Sequence, residues 1–209
     1  MSRISAVLFD CDGVMFESNR ANLAYYNRIL AEFSYPLVSV QQEDLARMCH
    51  TASSPEVLEN LFHPADLTVA RQFAATLDYR EFIPHMEPEE NFVDLLQQLS
   101  GQYPLAVATN RGKSILAILD HFDMQQFFSV VVTSHDVEQP KPAPDMLFLA
   151  AEKLQIDAEF CLFIGDSELD KTAAAAASMP FAGYGGVVTG EISLLNHLEL
   201  LDYLIIPGS

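Results

Sequence analysis

The sequence predicts an α/β fold in which a parallel sheet carries helices on both faces and an all-helical segment is inserted into the chain. From residue 85 onward, short apolar runs alternate with helical patterns, as in parallel sheets with crossover helices. Between residues 15 and 84 the patterns are helical and no strand is evident. We therefore expect a Rossmann-like core formed by residues 1–14 and 85–209, with residues 15–84 as a helical insertion.

Each predicted element rests on a local pattern. The predicted strands are short apolar runs at residues 5–9, 104–108, 128–133 and 160–164, with two weaker candidates at 181–184 and 203–206. The predicted helices show helical spacing of apolar residues or helix-start signals, and they lie at 19–33, 41–49, 54–62 and 66–79 in the insertion and at 89–99, 113–122, 145–154 and 170–178 in the core. The last of these helices is rich in alanine, so it can lie close on a sheet.

The bulk composition excludes several classes of protein. The 209 residues, of which 50% are hydrophobic, suffice for one core domain with a small insertion. A net charge of -18 repels nucleic acid and anionic membranes, so we expect neither as a partner. Three cysteines without a C-x-x-C pair predict reduced thiols, and we see neither a signal peptide nor an apolar run long enough to cross a membrane. These features predict a cytoplasmic protein.

An acidic turn directly follows the first predicted strand. Asp10 and Asp12 stand two residues apart, and Gly13 comes next. Two carboxylates so close together at a strand end are costly unless something binds there, because like charges repel each other. An acidic turn after a strand is nevertheless common, so this pattern needs support from the rest of the chain.

Three further polar motifs follow in order after later strands. They are Thr109-Asn110, Lys141 between two prolines, and the segment from Gly165 to Asp170. Each has an ordinary alternative: Thr109 or Asn110 can cap a helix, a single lysine is usually a surface charge, and Ser167-x-x-Asp170 fits a capping box. Asp10, Thr109 and Asp166, however, all fall at strand ends, where parallel sheets bind their ligands.

The ordered set of four motifs resembles the haloacid dehalogenase-like superfamily, and specifically its Asp-nucleophile phosphatases with a small helical cap, the group of phosphoglycolate phosphatases and β-phosphoglucomutases. The resemblance implies that Asp10 is the nucleophile and that Asp12 is the general acid and base. It also implies that Thr109 and Asn110 bind the phosphoryl group, and that Lys141 neutralises its developing charge.

The resemblance further implies a Mg²⁺ site. Asp10 and Asp166 would supply carboxylate oxygens, Asp12 its backbone carbonyl, and Asp170 would orient the coordination shell or a water. Oxygen ligands of this kind are those that Mg²⁺ favours. A cation is also the simplest way to bring several carboxylates together, since they repel each other without one.

The insertion resembles the cap that closes over the site in this superfamily. It contains no lysine, so a Schiff-base phosphonatase is not expected, and Asn22 stands where the β-phosphoglucomutases carry a histidine. By resemblance, residues 47–54 form the specificity loop, with Arg47 and His50 as candidate substrate-binding residues. Arg111, directly after the Thr109 motif, could approach the phosphate or face solvent.

The resulting expectation is a Mg²⁺-dependent phosphatase that acts on a small phosphorylated metabolite through an aspartyl-phosphate. Phosphoglycolate-like or sugar phosphates and pyrophosphate are the plausible substrates. The alternatives are a phosphosugar mutase of the β-phosphoglucomutase type and a non-catalytic member that binds a ligand or partner. We expect a monomer or a weak homodimer.

Overall fold

The computed structural model of the protein describes residues 4–204. Within this range the strands, in chain order, are β1 (Ala6–Phe9), β2 (Phe16–Glu17), β3 (Glu87–Pro88), β4 (Leu105–Thr109), β5 (Val130–Thr133), β6 (Cys161–Gly165), β7 (Phe181–Tyr184) and β8 (Ile192–Leu194). The α-helices are α1 (Asn19–Glu32), α2 (Glu43–Thr51), α3 (Ser54–Leu61), α4 (Leu67–Ala74), α5 (Phe92–Leu99), α6 (Ser114–His121), α7 (Asp145–Leu154) and α8 (Glu168–Ala177).

The main sheet has the strand order β5-β4-β1-β6-β7-β8, and every neighbouring pair in it is parallel. Strand β1 therefore lies between β4 and β6, although a long stretch of sequence separates it from both. The predicted parallel α/β sheet is confirmed. Because β1, β4 and β6 are adjacent and parallel, the residues that follow them emerge at the same edge of the sheet.

The side chains of β1 show how the sheet is covered on both faces. Val7 and Phe9 belong to one apolar cluster, which includes α5 and α6. Ala6 and Leu8 point the other way into a second cluster, which includes α7 and α8. This alternation is what a strand buried on both faces requires. Helix α8 contributes only small buried side chains to its cluster, Ala173, Ala174 and Ala177.

Helices α1 to α4 enclose an apolar cluster of their own. Its buried members are distinct from those of the two sheet clusters, and they are Tyr26, Ile29, Leu30, Val38, Cys49, Val57, Leu58, Phe62 and Ala70. A segment with its own core can hold its shape without the sheet. This supports the interpretation of residues 15–84 as a separate unit, which remains a proposal.

The expectation that residues 15–84 contain no strand is wrong. Phe16 and Glu17 form β2, which pairs antiparallel with β3 at Glu87 and Pro88. Two residues are too few to show an alternating pattern, so the sequence gives no sign of this ribbon. The ribbon ties together the two points at which the chain enters and leaves the helical segment.

The weak strand predicted at 203–206 is also wrong where it can be tested. Tyr203 and Leu204 follow a 3-10 helix at His197–Asp202, while residues 205 and 206 lie outside the described residues. The sixth strand of the sheet is instead β8, whose three residues were not predicted. The weak strand at 181–184 is confirmed as β7.

Two helices are shorter than their patterns suggest. The helix predicted at 66–79 is observed only as α4. It ends early because the backbone N–H and the hydroxyl of Thr76 both donate to the Phe73 carbonyl oxygen. The prediction at 89–99 begins only at Phe92, since Asn91 adopts a left-handed conformation with φ of 62°. Polar bonding by Thr76 and the backbone conformation of Asn91 set these two ends, and apolar periodicity shows neither.

Two expectations from the sequence, the absence of a membrane-spanning segment and the reduced state of the cysteines, can be compared with the structure. No helix within residues 4–204 combines the length and apolarity that crossing a membrane requires. The cysteines at positions 11, 49 and 161 are all buried and none forms a disulfide. Burial raises the pKa of the Cys11 thiol well above its usual value, so this side chain acts as an apolar filler rather than a reactive thiol.

Candidate active site

Three neighbouring strands deliver polar side chains to one edge of the sheet. Asp10 follows β1, Thr109 is the last residue of β4, and Asp166 follows β6. The backbone N–H of Asp10 donates to the Ile164 carbonyl at 2.9 Å, which extends the β1–β6 pairing to the acidic turn itself. The turn is thereby fixed to the sheet rather than hanging free.

Lys141 is the cation at the centre of this edge. Its side chain is only 2% exposed, and Nζ lies 2.7 Å from Asp10 Oδ1 and 2.6 Å from Asp170 Oδ1. Burial alone would lower the pKa of Lys141, but the two carboxylates raise it above its ordinary value, so the ammonium stays charged. A single buried charge therefore holds both carboxylates in place, and the surface-charge alternative for Lys141 is excluded.

The carboxylates around Lys141 form a cluster that suits a metal ion. Asp10, Asp166 and Asp170 each offer an oxygen, and these oxygens all lie within 4.8 Å of one another. Among the described residues, Asp166 Oδ1 is buried and has no hydrogen-bond partner. An orphaned buried carboxylate oxygen in an all-oxygen cluster fits a hard cation such as Mg²⁺.

The pKa values of two carboxyl groups in the cluster are raised, which is consistent with a site for a cation. Burial, followed by the nearby charges of Asp170 and Asp12, raises the pKa of Asp10 to about 7 despite the opposing effect of Lys141. Burial and the charges of Asp10 and Asp170 raise the pKa of Asp166 to about 8. One lysine thus compensates only part of the negative charge, and a bound divalent cation would compensate the rest.

The segment from Gly165 to Asp170 combines both interpretations of its sequence. Ser167 and Asp170 form a capping box at the start of α8. Asp170 Oδ2 accepts from the Ser167 backbone N–H at 3.1 Å, while Oδ1 binds Lys141. The helix cap therefore also orients Asp170 toward the site.

Gly13 allows Asp166 to approach the acidic turn. Its φ is 76°, a left-handed value, and a Cβ atom on Gly13 would lie 2.1 Å from Asp166 Oδ2. A side chain at this position would displace Asp166, so the glycine following the two aspartates is required by packing as well as by backbone conformation.

Asp12 is held by a set of donors that surround both of its oxygens. Arg111 Nε donates to Oδ2 at 3.1 Å, and Asn22 Nδ2 donates to Oδ1 at 3.0 Å. Arg111 Nη2 and the Ser18 hydroxyl also donate to Oδ1. Burial alone would raise the pKa of Asp12, but Arg111, His50 and these hydrogen bonds lower it to about 2.

Arg111 does not face solvent, which settles the alternative left open by the sequence. Its side chain is 5% exposed, and its guanidinium lies 4.7 Å from the centre of the Tyr79 ring. Nη2 also donates to Asn22 Oδ1 at 2.8 Å, and the Tyr79 hydroxyl donates to the same oxygen at 2.7 Å. Asn22 and Tyr79 thus connect the helical segment to the acidic turn through Arg111.

Thr109 and Asn110 are buried and do not cap the following helix. Helix α6 begins at Ser114, so its N-cap is Lys113. Thr109 Oγ1 instead accepts from the Arg111 backbone N–H at 3.1 Å. Asn110 Nδ2 donates to the Lys141 carbonyl at 3.0 Å and to the Thr51 carbonyl at 3.3 Å, so it joins the lysine loop to the helical segment.

The helical segment contains two residues that were predicted to bind substrate, and the structure places them differently. His50 lies next to the site, with Nδ1 3.4 Å from Asn22 Nδ2, and it lines the cavity. Burial lowers the pKa of His50, although the charge of Asp12 opposes this effect. Arg47, by contrast, is 72% exposed and pairs with Asp44 on the surface. It is not among the residues that line the cavity, and its contact with substrate stays a prediction.

A cavity of about 760 Å³ lies between the sheet edge and the helical segment. Asp10, Asp12, Thr109 and Asn110 line one side of it. The helical segment lines the other with aromatic, apolar and polar groups, including Tyr25, Tyr26, His50, Leu58 and Tyr79. A cavity of this size accommodates a small metabolite, and one with a few converging polar groups is typical of a small-molecule site.

Sequence reasoning missed several residues around Asp12. Ser18 gives no signal, because a serine before a helix is ordinarily a cap, and Tyr79 resembles any aromatic core residue. Asn22 draws attention in the sequence only because it stands where the β-phosphoglucomutases carry a histidine. Arg111 directly follows the Thr109 motif, and its position was the one available signal.

Comparison with known proteins places these motifs in a family context. A model described as haloacid dehalogenase-like hydrolase matches residues 7–184. Phosphoglycolate phosphatase from Shigella dysenteriae serotype 1 (strain Sd197) is 29% identical over 211 residues, which cover 86% of this chain and 81% of that protein. Pyrophosphatase PpaX from Bacillus pumilus (strain SAFR-032) is 26% identical over 222 residues, which cover 100% of this chain and 98% of that protein.

A solved structure shows the same architecture. The hydrolase of the haloacid dehalogenase superfamily, subfamily IA, variant 1, from Geobacter sulfurreducens PCA superposes with a TM-score of 0.86 at 38% identity. The match covers 96% of this chain and 100% of that chain. Its extent includes both the sheet and the helical segment.

Proposed function

The chain belongs to the haloacid dehalogenase-like hydrolase family, and from this premise we propose that it is a Mg²⁺-dependent phosphatase acting through an aspartyl-phosphate on Asp10. Its substrate is a small phosphomonoester or pyrophosphate. The observation that carries the proposal is the pairing of Asp10 with buried Lys141 at 2.7 Å, at the edge of the cavity. Similarity to a phosphoglycolate phosphatase and a pyrophosphatase supports this substrate class.

In the proposed reaction, a carboxylate oxygen of Asp10 attacks phosphorus and the bond between phosphorus and the leaving oxygen breaks. Asp12 gives a proton to that oxygen, then takes one from the water that attacks phosphorus in the aspartyl-phosphate. The second step releases inorganic phosphate and restores the Asp10 carboxylate. Splitting hydrolysis in this way replaces one difficult step by two easier ones.

The other residues of the sheet edge bind the transferred group. The Thr109 hydroxyl and the Asn110 backbone N–H donate to phosphoryl oxygens, and Lys141 offsets the charge that develops on them. Asp10, Asp166 and Asp170, with the backbone carbonyl of Asp12, would hold Mg²⁺. When bound, the ion supplies charge stabilisation for the phosphoryl group.

We assign residues 15–84 the role of a cap over the cavity. Three of its residues, Ser18, Asn22 and His50, reach the neighbourhood of Asp12, and Thr51 is hydrogen-bonded to Asn110. A segment in these positions excludes water during transfer and contacts the leaving group. The β2–β3 ribbon would act as its hinge.

The proposed function is tested by phosphate release from phenyl phosphate, phosphoglycolate, sugar phosphates and pyrophosphate, with and without Mg²⁺. We expect Mg²⁺-dependent release that Asp10→Asn reduces at least ~1,000-fold, because the nucleophile is lost. Asp120→Asn, on the exposed side of α6, is the matched control and should retain activity. Normal turnover in folded Asp10→Asn would disprove the mechanism, while isomerisation of a sugar phosphate primed by a bisphosphate, without net release, would indicate a mutase.

Two broader expectations accompany this function. The three buried, unpaired thiols are typical of a reducing compartment, so we propose a cytoplasmic location. We also propose that the protein is a monomer or a weak homodimer, which sedimentation over a range of protein concentrations measures.

A further inference from the structure

We infer that Arg111 is the residue that selects substrates in this cavity. In the structure it binds Asp12, and we propose that it exchanges this partner for a second anionic group of the substrate. The preferred substrates would then be phosphate compounds with another anion, a carboxylate or a phosphoryl group, within reach of Arg111. This inference rests on the proposed phosphatase function and deepens it.

Arg111 differs from the other cations that line the cavity. Arg71 and Arg80 are at least 45% exposed and pair with surface carboxylates, and Lys113 is also exposed. Lys141 is buried, but it is already bound to two carboxylates of the nucleophile cluster. Arg111 therefore combines burial, charge and access to the cavity in a way that these neighbours do not.

The backbone of Arg111 lies beside the phosphoryl site, and its side-chain tip carries the donors that would bind an anion. Its N–H donates to Thr109 Oγ1 at 3.1 Å, at the end of β4, so the residue starts beside the phosphoryl site. The guanidinium packs on the Tyr79 ring, and its bonds to Asp12 and Asn22 use Nε and Nη2. A guanidinium has five donors in a planar fork, which match a carboxylate or phosphoryl group as well as they match Asp12.

The proposed reaction requires that Arg111 leave at least one Asp12 oxygen during turnover. In the proposed reaction its carboxylate must reach the leaving oxygen, yet Arg111 contacts both Asp12 oxygens here. Ser18 and Asn22 would still hold Oδ1 after Arg111 leaves. Asp12 would thus keep its orientation while gaining a free oxygen for the substrate.

A second anion on the substrate makes this exchange favourable. Moving Arg111 away from Asp12 without a new partner leaves a buried charge unpaired, which is costly. A substrate carboxylate or phosphoryl group restores an ion pair at the same moment. A substrate with the phosphate alone offers no such partner, so Arg111 stays on Asp12 and the reaction is slower.

The test compares kcat/KM for two kinds of substrate in wild type and Arg111→Gln. Phosphoglycolate and pyrophosphate carry a second anion, as a carboxylate and a phosphoryl group, and phenyl phosphate does not. We expect Arg111→Gln to lower kcat/KM for the first kind at least ~10-fold more than kcat/KM for phenyl phosphate, mainly through KM. Whichever of phosphoglycolate or pyrophosphate loses more identifies the preferred second anion.

Two further variants separate selection from a structural role. Arg111→Lys keeps the charge without the fork, so it should retain more of the preference for two-anion substrates than Arg111→Gln does. Arg28→Gln removes an arginine that pairs with Glu32 on the surface, and it should leave the preference unchanged. An equal loss on all substrates in Arg111→Gln, or no loss on either two-anion substrate, overturns the inference.

A binding measurement distinguishes failure of this inference from failure of the proposed function. In an Asp10→Asn background, calorimetry with phosphoglycolate, pyrophosphate and phenyl phosphate reports affinity without turnover. Arg111→Gln should weaken at least one of the first two by ~10-fold or more and spare phenyl phosphate. Equal affinities for all three compounds, with and without Arg111, would exclude selection by this residue even in an active phosphatase.

Discussion

At the scale of single residues, the site depends on close approaches that few side chains permit. Gly13 is the clearest case, because Asp166 occupies the space that a Cβ atom would need. Lys141 is a second case, since its ammonium is the one cation that contacts both Asp10 and Asp170 among the described residues. Small changes at such positions should act on metal binding before they act on the fold.

We expect Gly13→Ala to weaken Mg²⁺ binding at least ~10-fold, because the new methyl group displaces Asp166 from the cluster. The measurement is calorimetric titration with Mg²⁺. The matched control is Gly101→Ala, which has a similar φ of 82° but nothing within 4 Å of the added Cβ. It should lose about 1 kcal/mol of stability through backbone strain and bind Mg²⁺ normally. Equal Mg²⁺ affinity in both variants would show that Asp166 is not a ligand.

A second residue-scale prediction concerns the histidine that supports the acidic turn. His197 is fully buried, its ring stacks on Tyr184, and Nε2 lies 2.7 Å from the Val14 carbonyl, to which it donates. Burial lowers the pKa of His197 from 6.5 to about 4, although the bond to Val14 opposes this. Between about pH 6.5 and pH 4, His197 therefore binds a proton more readily in the unfolded chain than in the folded one, so its contribution to stability is lost as pH drops through this range.

The measurement is urea unfolding of wild type and His197→Gln at pH 7 and pH 5. We expect the stability of wild type, measured relative to His197→Gln, to be about 2 kcal/mol lower at pH 5 than at pH 7, because the carboxyl groups common to both proteins cancel in this difference. His85→Gln changes an exposed histidine and should behave as wild type. An unchanged pH dependence in His197→Gln would mean that His197 is not buried in the neutral form.

The residues of the site could be predicted to different extents. Asp10, Thr109 and Asp166 follow strands, and the carboxyl ends of adjacent parallel strands meet at one edge, so local sequence and topology together locate them. The ion pair between Arg111 and Asp12 joins residues that are far apart in the chain. It depends on side-chain geometry, which local sequence does not indicate. Arg47 lies in α2, and its position in the sequence says nothing about the direction of its exposed side chain.

At the scale of elements, the start of α8 serves both the fold and the site. Ser167 caps the helix through the Asp170 backbone N–H at 3.3 Å, and its own N–H holds the Asp170 carboxylate. Helix formation and the orientation of Asp170 toward Lys141 therefore depend on the same few atoms.

We expect Ser167→Ala to lose about 1 kcal/mol of stability, as typical for an N-cap, and to lower phosphatase activity because Asp170 becomes less well oriented. Thermal unfolding and kcat/KM measure the two effects. Asn196→Ala removes the cap of the 3-10 helix at His197–Asp202, where the Asn196 side chain accepts from the Leu198 backbone N–H at 2.9 Å. It should lose similar stability but keep activity. If Ser167→Ala loses no more activity than Asn196→Ala, Asp170 does not need this cap.

Helix α7 and the strands of four or five apolar residues were predicted, and the strands of two and three residues were not. Helix α7 begins and ends where its sequence pattern does, since apolar spacing and the polar residues at its start agree. Strands β2 and β8 have two and three residues, so neither can show an alternation, and their pairing partners decide that they are strands. Tertiary pairing of this kind leaves no local signal.

At the scale of the whole molecule, the chain has a net charge of -18, and it also places several carboxylates close together in the candidate site. The raised pKa values of Asp10 and Asp166, about 7 and about 8, are the local consequence. In the metal-free folded state these two carboxyl groups bind more protons than they do in the unfolded chain between about pH 4 and pH 8, so their contribution to stability falls as pH rises through this range. Bound Mg²⁺ would remove this cost.

We therefore expect the metal-free protein to melt at a lower temperature at pH 8.5 than at pH 5.5, and Mg²⁺ to raise the melting temperature more at pH 8.5. At ~100 times its dissociation constant the ion adds about 2.7 kcal/mol. NaCl at matched ionic strength controls for screening of the overall charge, and Asp166→Asn should reduce the response to Mg²⁺. A Mg²⁺ effect no larger than that of NaCl would contradict the metal site.

The central claim is that Asp10 carries the phosphoryl group, and the most direct measurement traps that species. In Asp12→Asn, an aryl phosphate with a strongly acidic phenol still reacts because the phenolate leaves without a proton, but the attacking water lacks its base and the second step is slow. After acid quenching, mass spectrometry should find one phosphoryl group on the peptide that contains Asp10, only when Mg²⁺ is present. Phosphate release without any phosphorylated Asp10, or a phosphoryl group on another residue, would contradict the account.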